Sequence, residues 1–329
     1  MHAVRLLFVG PRQVEFASVD LPEPLPGPGT LLVRTLFSGI SSGTELLGYR
    51  GLLDPELPID ERIGSLGGTF RYPFPYGYSC VGVVEKSAGA LPPGTPVFAF
   101  HPHQDRFVVG EDDVVALPAG TDPRLATLLP FVETGLQLSL DAGQVAQETV
   151  VVVGLGVVGV LTALLLQRAG ATVVAADPLP ERRSLGAALG IRAVQPEELA
   201  SQLPSGGVPL AVELSGSPLA LAGTLDLLAH EGTALVGSWY GRQQVELPLG
   251  GAFHRRRLTI RSSQVSTIPA ALAGRWDVDR RRRVAVGLLD ELPLSALATT
   301  EFAFEEAPQA YRALDSREPG VVHVALRYS

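Results

Sequence analysis

One segment near the middle of the chain constrains the fold more than any other. Four consecutive valines, residues 150–153, lead directly into the run Gly154-Leu155-Gly156-Val157-Val158-Gly159. An apolar stretch then continues to Gln167, and a second run of apolar residues, 172–176, ends against Asp177. Because buried parallel strands have continuous Val/Ile/Leu sequences, this order predicts a strand, a tight turn, a helix and a second strand.

The three glycines of the run meet three different requirements of a dinucleotide site. Gly154 permits the tight turn, Gly156 lets the backbone approach a pyrophosphate, and Gly159 lets the helix pack closely on the strand. Asp177 lies 18 residues beyond Gly159, where a carboxylate accepts hydrogen bonds from a ribose 2′-hydroxyl and repels a 2′-phosphate. The pattern therefore predicts dinucleotide binding with NAD favoured over NADP, and a glycine-rich packing turn without a ligand is the alternative.

Polar residues at two further strand ends extend this predicted site. The predicted strands 210–213 and 234–236 both end where cofactors bind, at the carboxyl edge of a parallel sheet. The residues predicted to line the cofactor there are Ser215, Gly216, Gly237, Ser238 and Trp239. Arg182 and Arg183 follow Asp177, and their guanidinium groups would suit the 2′-phosphate of NADP; two solvated helix residues are the alternative interpretation.

Length and pattern indicate a two-domain α/β protein. A chain of 329 residues is longer than a domain with one ordinary hydrophobic core, and a hydrophobic content of 46% argues against disorder. Residues 1–119 are rich in Pro and Gly, residues 120–264 alternate strand and helix as in a doubly wound parallel sheet, and residues 265–329 are expected to pack back on the first domain. The remaining predicted elements are strands 30–36, 80–85, 96–100, 107–109, 192–194, 258–262 and 321–327, and helices 281–289 and 304–314.

Charge and cysteine content narrow the function classes. A net charge of −8 opposes binding to nucleic acid or to an anionic membrane. Cys80 is the only cysteine, so an intramolecular disulfide and a four-cysteine zinc site are both excluded. The apolar stretch 150–166 contains the three glycines, which favours a strand and helix over a membrane span. With no export signal visible at residues 1–9, we expect a cytoplasmic protein with a small-molecule substrate.

The order of these parts resembles the medium-chain dehydrogenase/reductase superfamily over essentially the whole chain. Residues 38–45 (SGISSGTE), 76–79 (YGYS) and 102–104 (PHQ) resemble the bacteriochlorophyllide a dehydrogenase branch in particular. The resemblance implies a GroES-like, β-rich catalytic domain and a Rossmann cofactor domain. It also implies a homodimer or homotetramer and hydride transfer between a nicotinamide and a secondary alcohol or ketone.

The chain departs from the zinc-dependent members of this superfamily at two ligand positions. Ser41 and Ser42 stand where those enzymes have the cysteine of a Gly-Ile-Cys-Gly segment, and Gly77-Tyr78-Ser79 stands where they have Gly-His-Glu. Their cysteine-rich structural lobe is also missing. Catalytic zinc needs three N, S or carboxylate ligands, and serine or neutral tyrosine is a poor substitute. We therefore expect zinc-independent chemistry and no metal site.

Without zinc, a side chain has to polarise the carbonyl and move the proton. Tyr78 is the first candidate: its phenol at the ligand position would donate to the substrate oxygen, provided that a neighbour or the cofactor's positive charge lowers its pKa. A packed strand tyrosine is the alternative. His103 would relay a proton to solvent or serve as a structural imidazole. Ser41 would bind the substrate oxygen and Glu45 would orient a partner, unless both merely cap the adjacent helix.

The superfamily places a helix facing the nicotinamide where this chain has residues 131–135. Thr134 is therefore predicted to contact the cofactor. Glu133 is either a proton-relay acid or a paired structural carboxylate. A residual metal site built from Glu45, His103 and Glu133 is the alternative to a metal-free centre.

Three functions follow from these observations. The leading one is NAD-dependent, zinc-independent interconversion of a secondary alcohol and a ketone. The second is reduction of an activated C=C bond with NADH or NADPH, as in the enoyl and quinone reductases of the same superfamily. The third is a nucleotide-binding protein without catalysis.

Overall fold

The computed structural model describes residues 1–23 and 25–329, which fold into two compact units. The first unit consists of residues 1–130 and 289–329, and the second of residues 131–288. The first unit is rich in antiparallel strands and the second contains a parallel sheet. The predicted fold class, an α/β protein with a β-rich domain and a Rossmann-type domain, is confirmed.

The helices and strands have the following bounds. The strands are β1 (His2–Gly10), β2 (Gln13–Asp20), β3 (Thr30–Ile40), β4 (Phe74–Pro75), β5 (Cys80–Ser87), β6 (Pro96–Ala99), β7 (Arg106–Gly110), β8 (Val114–Ala116), β9 (Thr149–Val153), β10 (Thr172–Ala176), β11 (Arg192–Val194), β12 (Val208–Glu213), β13 (Leu228–Val236), β14 (Thr259–Ser262), β15 (Thr300–Ala303) and β16 (Val324–Arg327). The helices are α1 (Thr44–Arg50), α2 (Pro123–Ala126), α3 (Leu129–Ala142), α4 (Val157–Arg168), α5 (Pro180–Ala188), α6 (Pro196–Leu199), α7 (Pro218–Leu227), α8 (Val278–Glu291) and α9 (Ala307–Asp315).

Strand β3 organises the first unit. It pairs antiparallel with β5, β7 and β16 in a seven-stranded sheet, while β2, β1 and β4 form a smaller one. On β1 the inward side chains Leu6 and Phe8 are fully buried, as period-2 alternation requires. Phe8 packs against Phe74, Tyr49 and Tyr311, so an aromatic core joins β1, β4, α1 and α9. Residues 289–329 are therefore an integral part of this unit, whereas residues 265–288, which were also expected to pack here, belong to the second unit.

The second unit is a six-stranded parallel sheet with the strand order β11-β10-β9-β12-β13-β14. Its central strand β9 is the valine run, whose side chains at 150, 151 and 152 are fully buried, as expected for a strand covered on both faces. The six strands predicted for this part are all present, although β12 begins earlier, at Val208, and β13 at Leu228. The apolar stretch 150–166 divides into β9 and α4, as predicted. No helix among residues 1–23 and 25–329 is long and apolar enough to cross a membrane.

Candidate functional site

Ser41 and Tyr78 come together in the first unit because β3 and β5 pair antiparallel. The Gly39 N–H donates to the Ser79 carbonyl at 2.8 Å, so the residues just outside the two paired strands lie side by side. Tyr78 Oη donates to Ser41 Oγ at 2.5 Å. Burial raises the pKa of Tyr78 to about 12, although the hydrogen bond to Ser41 opposes that shift. The expected lowering of the Tyr78 pKa is therefore wrong, and the phenol acts as a donor that is a weaker acid than an exposed tyrosine.

A third hydroxyl residue completes this cluster. The Thr44 N–H donates to Ser41 Oγ at 3.4 Å, and the Thr44 side chain also hydrogen bonds with Tyr78. Ser41 Oγ thus accepts two bonds, which leaves its own O–H proton to donate elsewhere. Ser41 is 4% exposed and Tyr78 is partly exposed. Such an arrangement can donate hydrogen bonds to an oxygen on which negative charge develops.

The carboxylate of Glu45 lies behind this cluster and is fully buried. Its Oε1 accepts the Ser41 N–H at 2.8 Å. Its Oε2 accepts His103 Nε2–H at 2.9 Å and also the hydroxyl of Tyr311. Because a carboxylate only accepts, the hydrogen on His103 is assigned to Nε2, and Nδ1 accepts the Ser38 hydroxyl at 2.7 Å. Glu45 therefore orients both Ser41 and His103, as one of its predicted roles requires.

Ser38, His103 and Glu45 form a hydrogen-bonded serine–histidine–carboxylate chain, but it is enclosed. Each of the three side chains is 0% exposed. Both nitrogens of His103 are occupied by protein groups, Nδ1 by Ser38 and Nε2 by Glu45. Ser38 Oγ also contacts Tyr328 Oη at 2.9 Å. An external substrate cannot reach Ser38 as a nucleophile in this arrangement. The same enclosure favours the structural interpretation of His103 over a direct relay to solvent.

The glycine run of the second unit has the geometry that a dinucleotide needs. Gly154 has a φ of +98°, and a Cβ on Gly159 would lie 2.0 Å from the Gly154 carbonyl oxygen. A Cβ on Gly156, in contrast, would have no neighbour within 4 Å. Val157 and Val158 form the first turn of α4, whose N-terminus follows Gly156. Gly156 therefore leaves open space at a helix N-terminus, which fits a pyrophosphate.

Asp177 supports the glycine run and has remaining acceptor capacity. Its side chain is 8% exposed; Oδ2 accepts the Leu155 N–H at 2.8 Å and Oδ1 accepts the Leu179 N–H at 2.9 Å. Each carboxylate oxygen has a second lone pair that can accept from a ribose hydroxyl. Arg183 Nη1 donates to the Asp177 carbonyl at 2.8 Å, and Arg182 Nη1 lies 3.5 Å from the Leu155 carbonyl oxygen. Both guanidinium groups thus lie beside the predicted ribose position.

A buried carboxylate organises the turn after β12. Glu213 is fully buried and accepts the Tyr240 hydroxyl at 2.5 Å and the Ser215 N–H at 2.7 Å. Ser238 Oγ accepts the Gly216 N–H at 2.9 Å, which links this turn to the one after β13. Ser215, Gly216 and Ser238 were predicted to line the cofactor, and Glu213 was predicted as the strand-closing residue of the same segment, whereas Tyr240 was not predicted. The signal for Glu213 was a carboxylate closing an apolar strand.

The other predicted cofactor residues lie at separate places in the second unit. Thr134 lies in α3. Gly237 follows β13, and a Cβ there would lie 2.6 Å from the Leu214 side chain, so this glycine permits close packing of the two turns. Trp239 is 41% exposed, which leaves an aromatic face accessible.

Glu133 is a paired carboxylate, as one of its two interpretations predicts. It lies 3.0 Å from Arg281 Nη2, and both side chains are 2% exposed. Arg281 Nη1 also donates to Gln137 Oε1 at 2.5 Å. The alternative metal site of Glu45, His103 and Glu133 does not form: within the described ranges 1–23 and 25–329, no three His, Cys, Asp or Glu side chains are grouped to hold a metal ion.

Comparison with known proteins identifies the second unit. Residues 157–277 match the family model described as zinc-binding dehydrogenase. The matched residues lie within the second unit, residues 131–288. The predicted resemblance to the medium-chain dehydrogenase/reductase superfamily is thereby confirmed.

Curated proteins that are similar to this chain match over part of their length. L-galactonate-5-dehydrogenase of Escherichia coli is 28% identical over 194 residues, 56% of this chain and 56% of the relative. The 2-desacetyl-2-hydroxyethyl bacteriochlorophyllide A dehydrogenase of Cereibacter sphaeroides is 31% identical over 120 residues, 36% of this chain and 31% of the relative. The chain thus spans about a third to just over half of these relatives.

Solved structures match the fold over almost the entire chain. L-idonate 5-dehydrogenase from Escherichia coli superposes with a TM-score of 0.79 and 18% identity, covering 99% of this chain and 98% of that one. At this identity the likeness establishes the fold alone.

The glycine run yields a stability prediction with a matched control. We expect Gly159→Ala to lower the free energy of unfolding by about 1–3 kcal/mol, because its Cβ would overlap the Gly154 carbonyl. Gly156→Ala meets no neighbour and should change that free energy by less than about 0.5 kcal/mol. Chemical denaturation followed by circular dichroism measures both values. Equal stability of the two variants would contradict the packing role of Gly159.

The buried ion pair yields a second prediction. Arg281→Met removes two guanidinium hydrogen bonds from Glu133 and leaves Arg282 Nε, 3.7 Å from the same oxygen, as a nearby cation, so we expect a loss of about 1–3 kcal/mol in the free energy of unfolding. The double variant Glu133→Gln/Arg281→Met should recover part of that loss. Arg283→Met, on an exposed arginine of the same helix, is the control. A single Arg281→Met variant as stable as this control would show that the pair does not stabilise the unit.

Proposed function

We propose that this protein is an NAD(H)-dependent oxidoreductase that transfers a hydride between the nicotinamide and a secondary alcohol or ketone without zinc. The observation that carries the proposal is the 2.5 Å contact between Tyr78 Oη and Ser41 Oγ, at the positions where zinc-dependent relatives have metal ligands. Two hydroxyl groups are poor zinc ligands but good hydrogen-bond donors. The match of residues 157–277 to the zinc-binding dehydrogenase family model supports the oxidoreductase class.

The first unit's hydroxyl cluster would handle the proton. A bound nicotinamide supplies the hydride to the carbonyl carbon, and negative charge then develops on the carbonyl oxygen. Ser41 donates to that oxygen and Tyr78 donates to Ser41, so a proton passes from Ser41 to the product and from Tyr78 to Ser41. An alkoxide is a stronger base than a tyrosinate, so this transfer is downhill. Because the pKa of Tyr78 is raised to about 12, the phenol is protonated at neutral pH as the donor for ketone reduction, and the reverse reaction would return the proton along the same path.

The second unit would hold the cofactor. Gly156 and the N-terminus of α4 fit the pyrophosphate, and Asp177 fits the adenosine ribose. The carboxylate favours NAD because it accepts from a 2′-hydroxyl and repels a 2′-phosphate. Arg182 and Arg183 lie beside the same position, so NADP is the competing cofactor that the binding experiment has to include.

The test of the proposed reaction is Tyr78→Phe. We expect kcat for ketone reduction with NADH to fall about 100-fold, because the proton donor behind Ser41 is lost. Tyr76→Phe, a buried tyrosine two residues away, is the matched control and should retain wild-type turnover. Turnover is measured against ketones and enones with products identified by mass spectrometry, in enzyme treated with a chelator and analysed for zinc. Products of C=C reduction alone, or activity that requires stoichiometric zinc, would overturn the proposal.

The raised pKa of Tyr78 gives a pH dependence with a definite sign. Reduction uses the protonated phenol, which is lost only as pH approaches about 12. We therefore expect kcat/KM for the ketone to lack a basic limb between about pH 6 and about pH 9. An activity loss in that range that disappears in Tyr78→Phe would contradict this assignment.

Cofactor choice is tested at Asp177. Asp177→Asn removes the charge while keeping one acceptor, and we expect the Kd for NADH to rise about tenfold, as for a lost charged hydrogen bond. The Kd for NADPH should fall or stay constant, since repulsion of the 2′-phosphate is removed. Asp226→Asn, on an exposed carboxylate of α7, is the control. Fluorescence titration of the wild type and both variants measures all six dissociation constants, and an unchanged ratio of the Kd values for NADH and NADPH in Asp177→Asn would exclude Asp177 from ribose recognition.

A further inference from the structure

Helix α9 contacts both ends of α1. The Tyr311 hydroxyl donates to Glu45 Oε2, next to the start of α1. Four residues later, Asp315 Oδ1 accepts Arg50 Nε at 2.5 Å, at the last residue of α1. Residues four apart lie on the same face of a helix. One face of α9 therefore fixes the short helix that follows Ser41.

The contact at the start of α1 reaches the hydroxyl cluster through one carboxylate. Glu45 Oε1 accepts the Ser41 N–H at 2.8 Å, while Ser41 Oγ accepts the Tyr78 hydroxyl at 2.5 Å. Tyr311 is 0% exposed and binds the other oxygen of Glu45, so it touches neither Ser41 nor Tyr78 by these bonds. The hydrogen-bonded route from Tyr311 to the cluster therefore passes through the carboxylate.

The ring of Tyr311 is held independently of its hydroxyl. It stacks on Tyr49 with ring centroids 5.2 Å apart and meets Phe8 edge-on at 5.3 Å. Burial and the nearby Glu45 carboxylate raise the pKa of Tyr311 well above its usual range, so its hydroxyl remains a donor. A phenylalanine at this position would keep the packing and lose only the hydrogen bond.

We infer that Tyr311 is a positioning residue of the reductase centre: its hydroxyl holds the Glu45 carboxylate, which holds Ser41 where Ser41 meets Tyr78. This inference rests on the proposed function and deepens it by assigning a role to the C-terminal helix. Removing one of three donors from a buried carboxylate lets it shift or recruit another partner. Ser41 then loses its orientation, and the proton path from Tyr78 is lengthened.

The experiment is a double-mutant cycle between Tyr311→Phe and Tyr78→Phe. We expect Tyr311→Phe to lower kcat for ketone reduction about tenfold, the equivalent of one charged hydrogen bond, with the KM for NADH unchanged. In the Tyr78→Phe background the same change should have an effect of less than about twofold, because the path it aligns is already broken. Tyr49→Phe, which removes a hydroxyl from the same aromatic stack, is the matched control and should leave kcat unchanged in both backgrounds.

Amide hydrogen exchange at Ser41 gives a readout that does not depend on turnover. The Ser41 N–H is bonded to Glu45, and we expect its exchange to accelerate about tenfold in Tyr311→Phe and to stay constant in Tyr49→Phe. If the effects of Tyr311→Phe and Tyr78→Phe on kcat multiply in the double variant, the inference is overturned and the proposed function is left intact. The same holds if exchange at Ser41 is unchanged in an active enzyme. A wild-type enzyme that reduces no ketone overturns the proposed function, and accelerated exchange then still supports the link from Tyr311 to Ser41.

Discussion

The buried carboxylate of Glu45 is the constraint on which the first unit's site depends. An ionised carboxylate without water costs several kcal/mol unless donors surround it. Here the donors come from the end of β3, from the loop before β7 and from α9, at Ser41, His103 and Tyr311. These parts of the chain must therefore meet at one point, and a charge that is costly to bury forces a single arrangement on residues that are far apart in sequence.

Local pattern was sufficient to predict the parallel sheet. The valine run, the glycine run and Asp177 lie within 28 consecutive positions, and each is a nearest-neighbour requirement of strand, turn and helix. The first unit was harder to predict because its strands are short and pair over long separations. Strands β1 and β2 were not predicted, and the pairing of β16 with β3 joins residues near 325 with residues near 39.

The difference between local patterns and long-range contacts also explains which site residues were predicted and which were missed. Ser41 and Tyr78 were named because they replace zinc ligands in recognisable segments, and strand pairing brings them together. Tyr311 was missed because its partner is 266 residues away, and nothing in the helix around it differs from an ordinary amphipathic surface pattern. Such a contact depends on which residues the fold brings next to a buried carboxylate, and no pattern in a single sequence indicates those residues.

In the proposed centre, hydroxyl groups in place of a metal would change the chemistry as well as the way the centre is held. A zinc ion lowers the pKa of a bound alcohol and so assists its oxidation. The Tyr78–Ser41 pair does the opposite, since burial raises the pKa of Tyr78 to about 12 and keeps it as a donor. Such a donor stabilises charge on an oxygen that is becoming an alkoxide, which occurs as a ketone is reduced. Burial thus keeps a protonated donor at the proposed centre, and the concentrations of substrate and cofactor set the direction of the net reaction.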